Sequence, residues 1–160
     1  MKTIDDFRDR VLATKLHSFL VGLGSHSSQE NEAMIQKLGD SVERAKIGEV
    51  LFLTLDRYTD LDKCELLGRL VLACGLGLLT AMELRRLAMA IDGAFSDDLQ
   101  EFLDNEITFT TPPQPFMHYL EKVGLTDSGN SSSFAGLPSA TPLGQRMKDA
   151  LAALSPGKNR

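Results

Sequence analysis

Residues 80–103 read TAMELRRLAMAIDGAFSDDLQEFL, and the organisation of the chain follows from them. Thr80 and Glu83 stand at the spacing of a capping box, in which each side chain bonds the other residue's backbone N–H. Leu84, Leu87, Ala88, Ile91, Ala94, Phe95, Leu99, Phe102 and Leu103 then recur at the spacing of one helical face. The pattern predicts a single long helix with these side chains inward. Asp97, Asp98, Glu101 and Asp104 fall on its polar side and form a candidate interaction surface for a basic partner. Phe95, Phe102 and Phe109 repeat every seven residues, which fits either a core stripe or a seam between copies of the chain, so a homo-oligomer is compatible with the sequence.

Working back towards the N-terminus, the same periodicity predicts four more helices. The first runs from Thr3 to about Val21, with Ile4, Phe7, Val11, Leu12, Leu16, Phe19 and Leu20 on its buried face and Gly22 and Gly24 ending it. Ser27 and Glu30 make a capping box for a short helix closing near Leu38. Asp40 caps a third helix that buries Val42, Ile47, Val50, Leu51, Leu55 and Tyr58. Thr59 and Asp60 precede a fourth, with Leu61, Cys64, Leu67, Leu70, Val71 and Cys74 inward and Gly75 as terminator. Helices joined by short loops argue for a mainly α fold, a compact bundle of about five helices.

Composition changes past Glu106. The stretch TFTTPPQP (108–115) cannot continue a helix through its prolines. Residues 1–111 carry net charge −7 and residues 112–160 net +2, within a total of −5 over 160 residues. The chain thus reads as an acidic helical bundle (1–111) and a Pro/Ser/Gly-rich tail (112–160) packed on it. The tail offers a helix from Phe116 to Val123, extended residues around Phe134 to Ala140, and a last helix opened by Thr141-Pro142-Leu143-Gly144. A helix closed by Gly124-Leu125, a hairpin and a helix opened by Thr-x-x-Gly look like the closing half of a winged helix. Arg146 and Lys148 are the tail's clearest basic pair and its candidate nucleic-acid contacts. The negative total charge argues against a dedicated nucleic-acid binder, because phosphate affinity comes chiefly from Lys and Arg.

The motifs of catalysis and ligation are not assembled. Asp56, Asp60, Asp62 and Glu65 miss the calcium-loop spacing and are explained as cap and first-turn acids. His17, His26 and His118 show no paired zinc spacing with Cys64 or Cys74. The Gly22-Leu23-Gly24 and Gly75-Leu76-Gly77 pairs follow no strand and read as helix stops, not phosphate loops. Hence no catalytic residue, no metal ligand and no cofactor is expected.

Cys64 and Cys74 are ten residues apart on one expected helix, about 15 Å along its axis, too far for a disulfide. Two free thiols point to a reducing cytoplasm. The acidic start MKTIDDFRDR is unlike a secretion signal. The longest uncharged apolar stretch, Leu70 to Met82, is shorter than the roughly 20 residues a membrane span needs.

The order of these features resembles a family of uncharacterised bacterial and prophage-associated helical proteins. The stretches that carry it are Asp9-Arg10-Val11-Leu12 with Lys15-Leu16 and Phe19-Leu20, Ile47 to Leu51, and Leu55 to Lys63. Further on they are Leu66-Leu67-Gly68, Leu79-Thr80 with Glu83, Arg86-Leu87, Ala90-Ile91-Asp92 and Thr141 to Gly144. Members of that family often carry an apolar, membrane-inserting segment before the first matching helix, and this chain begins where that segment would end. The resemblance implies a phage-related or bacterial-defence accessory protein with a protein partner, and it carries over no catalytic residues. The alternative expectation is a DNA-binding transcriptional regulator using the wing-like tail.

Overall fold

A computed structural model describes residues 2–24, 27–37, 40–107, 112, 114–127 and 138–154. The fold is mainly α with one small strand pair, as the sequence predicts. In chain order the elements are α1 (Lys2–Leu23), α2 (Ser28–Lys37), α3 (Ser41–Arg57), α4 (Leu61–Gly75), α5 (Ala81–Gly93), α6 (Ser96–Asp104), α7 (Pro115–Glu121), β1 (Thr126–Asp127), β2 (Ser139–Ala140) and α8 (Pro142–Leu154). The chain divides into two compact units, Met1–Ala88 and Met89–Arg160, and the compositional change at residue 111 lies inside the second.

In the first unit α4 is the central element, with α1 and α2 packed on it and α3 beside α1. Its core is built from Ile47, Leu55, Tyr58, Cys64, Leu67, Leu70, Leu84 and Leu87. The buried Tyr58 hydroxyl donates to the Ala88 carbonyl at 3.0 Å, which satisfies the polar end of an otherwise apolar ring. Three expected caps form. Ser27 and Glu30 exchange bonds at 2.8 and 3.3 Å, Thr80 and Glu83 at 2.7 and 3.2 Å, and Asp40 Oδ1 accepts from Val42 N at 2.9 Å. Asp60 sits at the N-cap of α4 in extended backbone but makes no side-chain cap bond.

Gly22 does not end α1. The helix runs through it to Leu23 and stops at Gly24, whose φ of 81° suits a residue without a Cβ. Gly22 instead lies against α4: a Cβ there would stand 1.9 Å from the Glu65 carbonyl oxygen. Ser18 on the same side donates to the Leu61 carbonyl at 3.1 Å. Because α1 meets its neighbour through this small, partly polar side, much of its predicted buried face is uncovered. Phe7, Val11, Leu16 and Leu20 are exposed, while Leu12 and Phe19 are half-buried. Val42 and Leu61, also expected inside, are exposed on α3 and α4.

The second unit gathers Ile91, Leu99, Phe102, Phe116, Met117, Leu120, Leu125, Met147 and Leu151 into its core. The predicted long fifth helix is two helices. Gly93 is a poor helix former, Phe95 takes extended backbone at φ −81° and ψ 144°, and Asp97 and Asp98 then sit in the first turn of α6, where the helix dipole favours acids. Phe95, expected inward, is therefore 72% exposed at the corner, while Phe102 is fully buried. The heptad of phenylalanines is not one seam, and Phe109 lies outside the described residues.

The tail closes as an α7-β1-β2-α8 element. β1 and β2 pair antiparallel with Thr126 opposite Ala140 and Asp127 opposite Ser139. Gly124 turns the chain at φ 78°, and Leu125 behind it is fully buried. The Thr141 hydroxyl donates to the Gly124 carbonyl at 2.6 Å and accepts from Gly144 N at 3.1 Å, so one side chain ties the turn to the start of α8. Gly144 allows the contact: a Cβ there would meet the Leu125 oxygen at 2.1 Å. The expected extended residues are seen at Ser139 and Ala140, and residues 134–137 fall outside the described set.

Candidate functional site

The acidic face is where the spacing puts it. Asp97, Glu101 and Asp104 are exposed on α6, and Asp98 is half-buried. Burial, then the neighbouring Asp97 charge, holds the Asp98 carboxyl above the ordinary carboxylate value. Gln100 Nε2 donates to Asp104 Oδ2 at 2.8 Å, so part of this face is tied internally.

Arg146 and Lys148 are placed differently from each other. Arg146 is exposed on α8. Lys148 is half-buried and turned onto the end of α6: its Nζ donates to the Phe102 carbonyl at 2.7 Å and to the Asn105 carbonyl, and it lies 4.9 Å from the Phe102 ring centroid. Desolvation lowers its pKa, opposed by the charges of Glu106 and Asp104. The ammonium thus satisfies carbonyls that the helix end leaves open, where the dipole also favours a cation. A lysine held this way is a packing element of the second unit.

The exposed residues of α7 are Pro115, His118 and Tyr119, and Lys122, also exposed, follows at its C-cap. Lys122 Nζ stands 5.6 Å from the Tyr119 ring centroid, and His118 Nδ1 lies 3.7 Å from Glu121 Oε2. That is a thin basic footprint for a helix meant to enter a nucleic-acid groove.

The other candidates are scattered. No group of three or more His, Cys, Asp or Glu side chains among the described residues is placed to hold a metal ion. Asp56 pairs with Arg8 at 3.9 Å across an exposed surface, and its carbonyl accepts from Lys15 at 2.6 Å. Asp60 and Asp62 lie at the cap and first turn of α4. Cys64 and Cys74 are free and buried, and His26 falls outside the described residues. Among the described residues, no helix is long and apolar enough to cross a membrane.

Two features escaped the sequence reading. One is the uncovered side of α1, which carries an open recess of about 390 Å³ lined by His17, Leu20, Val21 and Gly24. Apolar residues all around α1, with no clear polar face, were the available signal. The other is the outer face of α5, where Met82, Arg85, Arg86 and Met89 are all exposed. The MxxRRxxM spacing states it, but the apolar half of the same helix dominates the pattern. No family model, no curated protein and no solved structure matches this chain.

Proposed function

We propose that the chain is a non-enzymatic helical protein-interaction module acting in a reducing compartment. The observation that carries this is the outer side of α1 beside the recess, where Leu16, Leu20 and Val21 are all about half exposed. Large apolar side chains grouped on a surface mark sites where another molecule removes them from water. The recess beside His17 adds concavity to that side. The sequence resemblance would set such a module in a prophage-associated or bacterial-defence role.

The test is affinity purification from the native host with the wild-type chain and with the double variant Leu16→Glu, Leu20→Glu. Both positions are exposed, so the variant keeps its thermal transition. A stoichiometric protein partner held by the wild type and lost by the variant is the expected outcome. Recovery of no stoichiometric partner overturns the reading.

A DNA-binding regulator is the second reading, favoured by the antiparallel pair ahead of the Thr141-capped α8. Binding through phosphates must weaken steeply as salt rises. A mobility-shift titration showing no complex even at low salt removes it.

A further inference from the structure

We propose that α5 and α6 carry complementary faces through which two copies of this chain associate. Along α5, Met82, Arg85, Arg86 and Met89 stand at i, i+3, i+4 and i+7, so they share one side of the helix. Met82 and Met89 are 62% and 66% exposed, and both arginines are exposed. Neither arginine side chain forms a hydrogen bond or ion pair with another described residue. Along α6, Asp97, Gln100, Glu101 and Asp104 stand at the same i, i+3, i+4 and i+7 spacing and are exposed. Each face spans two helical turns, about 10 Å, so the two match in length as well as in charge.

The details of the faces agree. Gln100 and the nearby charge of Lys148 partly engage the exposed Asp104, which leaves Asp97 and Glu101 as the more available carboxylates of this face. Arginine's planar fork suits such carboxylates. Exposed Phe95, at the N-cap of α6, supplies an aromatic for the flexible Met82 or Met89 of the other copy. An anionic membrane is the poorer occupant. On a membrane-bound helix the apolar side chains enter the lipid together with basic residues at the rim. Here the arginines occupy the middle of the stripe, and the chain's net charge of −5 is repelled by anionic lipid. A second copy holds both faces, so α5 of one can meet α6 of the other.

Sedimentation over a concentration series, at low and high salt, tests this with two charge-reversed variants, Arg85→Glu with Arg86→Glu and Asp97→Lys with Glu101→Lys. The wild type is expected to rise towards twice the monomer mass at low salt and return to monomer at high salt. Each variant alone is expected to stay monomeric with unchanged circular dichroism. An equimolar mixture of the two, and a chain carrying all four substitutions, are both expected to recover the association. A wild type that is monomeric at every concentration at low salt overturns the proposal. So does association that survives either reversal or grows with salt, and so does capture by anionic vesicles of a chain that stays monomeric. If a variant loses its helical signal, the wild-type salt series decides. Leu16→Glu with Leu20→Glu leaves this self-association intact, which separates it from the partner-binding reading of α1.

Discussion

Gly68 of α4 backs directly onto Gly22 of α1. A Cβ on Gly68 would lie 3.1 Å from the Gly22 carbonyl carbon and 2.1 Å from the Phe19 oxygen, and a Cβ on Gly22 would lie 1.9 Å from the Glu65 oxygen. The obstructing atoms are backbone, so no side-chain rotation relieves the overlap and the helices must separate. Gly22→Ala and Gly68→Ala each gain about 1 kcal/mol of helix propensity. Both should nonetheless destabilise by roughly 1–3 kcal/mol net, as overpacked interiors do. Urea unfolding of the two single variants and the double variant measures it, and the double should fall short of the sum because one separation serves both.

Gly48, in the middle of α3, is the control. Nothing lies within 4 Å of a Cβ built there. With propensity unopposed, Gly48→Ala should raise stability by about 0.5–1 kcal/mol in the same urea measurement.

Thr141 joins the Gly124 turn to α8 through one hydroxyl. Thr141→Val keeps the shape and removes both bonds, at a cost of about 1–2 kcal/mol. Thr141→Ser retains the hydroxyl and should restore most of the loss in a thermal melt.

Lys148 closes the carbonyl end of α6 and covers the Phe102 ring. Lys148→Met keeps the stem and removes the charge, and should lower stability by about 1 kcal/mol, a modest figure because the group is half exposed. If the tail binds DNA through exposed cations, Arg146→Ala should weaken that binding by more than Lys148→Met does, read from the same salt titration.

Burial raises the Cys64 thiol, with Lys15 opposing it, and burial then the Glu83 charge raise the Cys74 thiol, both above the ordinary 9.0. As pH passes 9.0 the unfolded chain sheds thiol protons that the folded chain keeps, so stability falls with rising pH. Lys148, lowered from 10.5 by desolvation, acts with the opposite sign in that range. Melting temperatures from about pH 8 to about pH 10 should therefore drop less in Cys64→Ala with Cys74→Ala than in the wild type.

Much of the local architecture was legible because its causes are local. Ser27 with Glu30 and Thr80 with Glu83 announce helix starts three residues in advance, and both boxes form. The break at Gly93–Phe95 was also written locally, as a weak helix former followed by Ser96-Asp97-Asp98. A continuous apolar stripe across the break outweighed it. Which stripe is covered, however, depends on the neighbour. Leu16 and Leu20 stand four apart just as Leu87 and Ile91 do, yet the first pair is exposed and the second buried.

By itself, then, the sequence determined where helices begin, that the fold is mainly α, and that acids crowd α6 while the tail is slightly basic. Backbone capping and periodicity act within a few residues and need no partner. Tertiary structure alone decided that Gly22 is a crossing point instead of a stop, that Lys148 is spent on the carbonyls of α6, and that α1 and α5 show apolar and basic side chains to solvent. Each of those outcomes depends on residues tens of positions away arriving at van der Waals or hydrogen-bonding distance, or failing to arrive, and no local pattern encodes that.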